Sequence, residues 1–146
     1  MMRRVWIIPV GLLASACASQ ELVHFGGTLN PVERPSQTVA CRQAQPRLDA
    51  IERRGPDFPS DLVYYLFINQ STNIRAVVMS YDVTEDGTTG NIRYGGPISD
   101  LDNGTNRDAT LPAARAIADW TFAWSDGPGA RFATGCTARF DFTLRQ

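Results

Sequence analysis

The feature that most constrains this chain is a hairpin written into residues 74–94. Ile74 to Val83 reads IRAVVMSYDV, in which Val77, Met79, Tyr81 and Val83 alternate with Ala76, Val78, Ser80 and Asp82. Period two predicts a strand with one face on a core, because successive side chains of an extended chain point to opposite sides. Thr84-Glu85-Asp86-Gly87 follows. Asp-Gly between two such runs predicts a tight turn, since glycine accepts the positive φ that the turn needs. Asn91 to Tyr94 then reads as the returning strand, with Ile92 and Tyr94 on one side and Arg93 on the other, ended by Gly95-Gly96-Pro97.

Two further segments carry a clear period. Thr110 to Trp120 predicts a helix, capped by Asp108 or Thr110, with Pro112 tolerated in its first turn. Its alanines leave only Arg115 and Asp119, four apart, as a wet strip, which implies close approach to a sheet. Ala133 to Leu144 returns to period two. Cys136, Ala138, Phe140, Phe142 and Leu144 fall on one face, and Thr137, Arg139, Asp141 and Thr143 on the other. Asp61 to Ile68 (DLVYYLFI) is ambiguous: its content suits a strand, yet Ser60 can cap a helix through Leu62, Tyr65 and Leu66.

The N-terminal part is less regular. Residues 1–16 read as a signal peptide: Arg3 and Arg4 precede an apolar run, Val5 to Ala14, and then small residues. The run is shorter than the roughly 20 apolar residues a spanning helix needs. Leu13-Ala14-Ser15-Ala16-Cys17 resembles the lipobox of bacterial lipoproteins, which predicts cleavage before Cys17 and a lipid on it. That family usually has Leu three residues before the Cys, where Ala14 stands here. Ala14-Ser15-Ala16 and Ala16-Cys17-Ala18 also satisfy the rule for ordinary signal peptidase. Residues 17–56 form a tether and irregular segment, with residues 18–36 as the tether, Thr38–Cys41 a short strand and Leu48–Arg54 a helical turn or two. Residues 57–146 form the patterned domain.

With Cys17 consumed by lipid, Cys41 and Cys136 remain as one pair in an oxidising compartment, and a structural disulfide is predicted. A redox pair would show Cys-x-x-Cys spacing, which these two lack.

Composition removes several chemistries. All basic residues are Arg, so no lysine is available as Schiff-base former, phosphate-loop cation or general base. The 14 basic residues face 15 acidic ones, without the footprint of a nucleic-acid binder. The one histidine, His24, lies in the tether and is a poor base for a triad. The acidic loop Asp100–Asp108 resembles a calcium loop, but counting from Asp100 the bidentate Glu position falls on Leu111, and Gly104 comes one place early. No metal or other cofactor is expected. Asp82 with Asp86, and Asp49 with Glu52, read as turn and surface carboxylates rather than an acid/base pair. Trp120 and Phe122 read as core.

Several motifs together resemble one family. Phe58-Pro59, the hairpin Tyr81-Asp82-Val83-Thr84-Glu85-Asp86-Gly87, the run Ala113–Phe122 ending in Trp-x-Phe, and Phe140-Asp141-Phe142 are similar to the C-terminal domain of TonB-type energy transducers over residues 57–144. The resemblance implies an α+β fold: a small antiparallel three-stranded sheet of β-hairpin, helix and closing strand, with helices packed on one face. It also implies that residues 60–68 are helical. In that family an extended peptide of an outer-membrane transporter pairs with the edge of the closing strand. Here that edge carries Thr137, Arg139, Asp141 and Thr143. The transducers' membrane anchor, motor-engaging histidine and Pro-rich rod have no counterpart in the sequence, so energy coupling is not expected.

The reading is a non-enzymatic envelope lipoprotein on the periplasmic side, at the outer membrane. It binds a partner protein or extended peptide by β-strand addition, touches the membrane through its lipid, and does not bind nucleic acid. Its rival is a structural or assembly lipoprotein whose edge is blocked. Pairing of residues 38–41 with residues 133–143 is the observation that decides for the rival. A hydrolase would need a cleft of convergent polar groups.

Overall fold

A computed structural model describes residues 26–57, 76–97, 99–100, 104–125 and 130–141, with the side chains of 104–108 left aside. Cys17, His24, Phe58-Pro59, the predicted helix 60–68, Asp102, Thr143 and the end of the closing strand lie outside the described residues. The architecture mixes α and β. Among the described residues, seven strands, β1 (Thr28–Leu29), β2 (Val39–Ala40), β3 (Leu48–Glu52), β4 (Val77–Val83), β5 (Thr89–Tyr94), β6 (Thr121–Trp124) and β7 (Ala133–Phe140), accompany a short helix α1 (Cys41–Ala44) and a long one, α2 (Gly104–Ala118).

The hairpin forms as its alternation dictates. Val77, Met79, Tyr81 and Val83 are buried on one face of β4, and Ile92 and Tyr94 on β5, while Arg93 is exposed. Thr84 N–H donates to the Thr88 carbonyl at 2.8 Å, leaving Glu85, Asp86 and Gly87 as the loop. Gly87 takes φ 83°, the left-handed residue that three-residue hairpin loops place last. Asp86 accepts hydrogen bonds from the hydroxyls of Thr84 and Thr88 and from the Thr88 amide, which rigidifies the loop. Those bonds, the one from Thr84 foremost, hold the Asp86 carboxyl below its ordinary pKa.

Helix α2 lays Ala113, Ala114 and Ile117 onto the β4–β5 surface, with Arg115 and Asp119 exposed. It begins earlier than Thr110, at Gly104, so Pro112 sits inside the helix rather than in its first turn. It stops at Ala118, and Trp120 leads into β6 rather than closing the helix. Buried Thr89 secures the junction, its hydroxyl donating to the Ile117 carbonyl at 2.6 Å.

The sheet corrects the three-stranded expectation. Its order is β1-β5-β4-β7-β2, and β3 with β6 forms a separate two-stranded sheet. The expected hairpin and closing strand are the three central, antiparallel strands. The additions are short: β1 and β2 have two residues each, too few to show a period. Leu48–Arg54 is not helical. Leu48–Glu52 is a strand because β6, distant in sequence, offers it a ladder from Leu48↔Trp124 to Glu52↔Thr121. Nor are residues 26–36 a free tether, since Leu29 is buried beside Ile92 in the β1–β5 pair.

Candidate functional site

The closing strand β7 has β4 along one side, in register from Val77↔Phe140 to Tyr81↔Cys136. On its other side lies β2, parallel, with Val39↔Ala133 and Ala40↔Thr134. The Val39 amide donates to the Phe132 carbonyl at 2.9 Å. The next residue, Cys41, is disulfide-bonded to Cys136, 95 positions further along the chain, with Cα atoms 4.9 Å apart. A strand edge otherwise offers unpaired amides and carbonyls to any other chain. Here the chain itself occupies that edge at Ala133–Thr134 and bolts α1 against it at Cys136. The edge expected to be open is therefore narrowed. Of its expected residues Thr137, Arg139 and Asp141 lie beyond β2 and are exposed. Arg139 Nε and Asp141 Oδ1 pair with each other at 2.9 Å, with both side chains more than half exposed.

The segment between β1 and β2 is held by a carboxylate that the sequence presents as an ordinary turn residue. Asp82 is buried, on the β4 face opposite Met79 and Tyr81. Its Oδ2 accepts from Arg34 Nε and Asn91 Nδ2, each at 2.8 Å. Its Oδ1 accepts from the Gly135 amide at 3.1 Å and from an Arg34 terminal nitrogen at 3.4 Å. Burying a carboxylate is tolerable only with such compensation. The hydrogen bond that Arg34 donates to Asp82, more than the charge of Asp82, raises the Arg34 guanidinium above its ordinary pKa. Asn91, at φ 50°, extends the clamp: its side chain accepts from the Val32 amide at 2.8 Å and donates to the Val32 carbonyl at 2.9 Å. Asp82 thus joins the strap 30–35, the hairpin and the start of β7. Its donors stand at 34, 91 and 135, so no local spacing announces it. The one sequence signal is an aspartate inside an otherwise regular strand, one residue before its end.

Asp82 and Asp86 do not act as a pair. One is buried under Arg34, the other lies in the exposed turn, and each has its own donors. Asp49 and Glu52 are exposed on β3. Asp100 is exposed, and among the described residues no three His, Cys, Asp or Glu side chains gather as metal ligands do.

A cleft of about 370 Å³ opens between α1, β3 and β7. Tyr81, Val83 and Phe122 line it together with Cys136, and Arg42, Gln45, Arg53 and Thr137 also border it. Tyr81 stacks on Phe122 with centroids 6.3 Å apart and meets Trp120 edge-on at 5.7 Å. Trp120 Nε1 donates to the Arg54 carbonyl at 2.7 Å, and the Arg53 guanidinium lies over the Trp120 ring, 4.6 Å from its centroid. Burial raises the Tyr81 pKa, and the nearby Arg53 charge lowers it in part. Trp120 and Phe122 belong to the core, as expected. Compared with known proteins, the sequence matches no family model and no curated protein.

Proposed function

We propose that the chain is a non-enzymatic envelope lipoprotein with a structural or assembly role. In this reading it is built on a TonB-C-like core of hairpin, helix and closing strand, lipid-anchored through Cys17 on the periplasmic side of the outer membrane. The observation that carries the choice over transducer-type peptide capture is the β2–β7 pairing, reinforced by the Cys41–Cys136 bond. A ladder site already filled by the chain's own backbone cannot accept a partner's strand without first being vacated. Strand order β5-β4-β7 with α2 on one face favours the TonB-C-like core. The lipid anchor rests on the Ala16-Cys17 motif.

A second reading keeps β-strand addition but confines it to Thr137–Asp141. It is favoured by the end of the β2 ladder at Thr134. Capture of envelope proteins on the lipidated chain separates the two, using wild type and Arg139→Pro, each first shown to be folded by circular dichroism. Arg139→Pro removes one amide donor from the strand. The structural reading expects the same partners for both proteins. Loss of the partners from a folded Arg139→Pro protein would overturn it in favour of strand addition. Mass spectrometry of the mature N-terminus tests the anchor, with diacylated or triacylated Cys17 expected and a chain starting at Ser19 contradicting it.

A further inference from the structure

We infer that the cleft beside the disulfide binds a carboxylate carried on an extended segment of a partner protein. The inference rests on the assembly reading in requiring a protein partner, and it gives that partner a place to dock other than the covered edge. Charge is the first ground. Among the described residues, Arg42 and Arg53 border the cleft, no Asp or Glu does, and neither arginine has a carboxylate partner. Two other clefts carry both signs: Glu85 and Asp86 with Arg131 in one, Glu52, Asp57 and Asp119 with Arg54 and Arg115 in the other. In a chain with almost balanced charge, an arginine-only cleft is a local excess that an acidic ligand would neutralise.

Preorganisation is the second ground. Arg53 is not a loose surface cation. Its guanidinium rests on the buried Trp120 ring, whose own N–H is fixed by the Arg54 carbonyl. A guanidinium placed over an aromatic face still has N–H donors for a carboxylate, which it can bind through two parallel hydrogen bonds. Arg42 enters from the other side, as the residue after Cys41, whose bond to Cys136 fixes the start of α1 to β7. Shape is the third ground. The volume suits one side chain and its flanking backbone better than a large metabolite. Thr137, exposed and beyond the part of β7 that β2 covers, stands at its border. Gln45 adds an amide that can donate or accept, and Tyr81 with Phe122 offers an apolar floor.

The test uses the folded mature chain, isotopically labelled. The probe is an acetylated, amidated hexapeptide alternating valine with glutamate, beside its glutamine counterpart. The glutamate peptide is expected to shift the resonances of Arg42, Arg53 and Thr137 and to bind about tenfold more tightly than the glutamine peptide, as charge-assisted bonds require. R42Q and R53Q are each expected to weaken it about tenfold. R42Q leaves the Trp120 stack untouched, so its loss of binding is not a folding defect. Equal affinity for the two peptides, unchanged binding by both variants, no binding by wild type, or shifts confined to the groove at Arg131 would each overturn the inference. The assembly reading is judged separately, by the partners that folded Arg139→Pro retains.

Discussion

The hairpin with its helix and the N-terminal segment 26–54 are held by different means. In the hairpin each strand makes its own case: apolar residues recur every second position and the turn residues lie between the two runs. Residues 26–54 have no such pattern, yet they supply β1, β2 and β3 and cross from one edge of the sheet to the other. They are held by single attachments: Leu29 in the core, Val32 on Asn91, Arg34 on Asp82, Val39 on β7 and Cys41 on Cys136. The contrast teaches that a segment without periodicity can still be fixed when a finished sheet offers it edges and buried polar anchors. It should then be sensitive to loss of those few anchors and indifferent to most of its other side chains.

The largest effect should come from the disulfide. In the chain-entropy account, a cross-link closing so long a loop restricts the unfolded chain by about 4–5 kcal/mol. Cys41→Ser with Cys136→Ser should lower the midpoint of urea unfolding by a corresponding amount and raise hydrogen exchange at Val39 and Cys41 before the hairpin opens. Equal stability with and without reductant would show that the N-terminal segment is not fastened there.

Gly87 comes next, and it belongs to the hairpin. A Cβ built there would meet the Phe122 carbonyl oxygen at 1.8 Å, in a backbone conformation that side chains rarely adopt. The reason is β6, whose Phe122 amide donates to the Gly87 carbonyl at 2.9 Å. Gly87→Ala should cost more than about 3 kcal/mol, well above the usual penalty of a positive φ alone. A cost below about 1 kcal/mol would mean that β6 does not pack against the turn.

Asp82→Ala should cost about 2–4 kcal/mol, because Arg34, Asn91 and the Gly135 amide lose a shared acceptor. Arg34→Ala should cost less, since the Arg34 side chain is 48% exposed and Asp82 keeps two donors. The order of the two is the informative part: a larger loss from Arg34→Ala would contradict the clamp.

The smallest effect is a titration. Asp86 has a folded pKa below its ordinary value, so its contribution to stability is present above the unfolded pKa and fades as pH falls through the folded one. Replacing Thr84 with valine removes the chief cause, and the Asp86 carboxyl should titrate at higher pH by carbon-detected resonance. No change would show that the Thr84 hydroxyl is not its partner.

What the sequence discloses follows the range of each interaction. The hairpin, the alanine-rich helix face and the inward set Cys136, Ala138 of the closing strand depend on neighbours two to four residues apart, and they read correctly. The disulfide reads from parity, because two cysteines remain once Cys17 is set aside. Leu48–Glu52 misleads because five residues with one half-buried position carry no period, and its state is set by β6. Asp82 misleads because its role depends on three remote donors. Of the proposed cleft, the sequence discloses the aromatic residues as core but not that Arg42, on α1, and Arg53, just after β3, border one cavity.

The central claim is that the chain's own N-terminal segment occupies the start of the closing-strand edge. Amide hydrogen exchange in the native protein tests it most directly, read at Val39. The Val39 amide, donor to the Phe132 carbonyl, is predicted to be protected in the free protein while the amides of the flanking Gln37 and Thr38 exchange quickly. Exchange at Val39 as fast as at Gln37, in a protein whose β4 and β5 amides remain protected, would mean that β2 does not cover the edge and that β7 is free to take a partner strand.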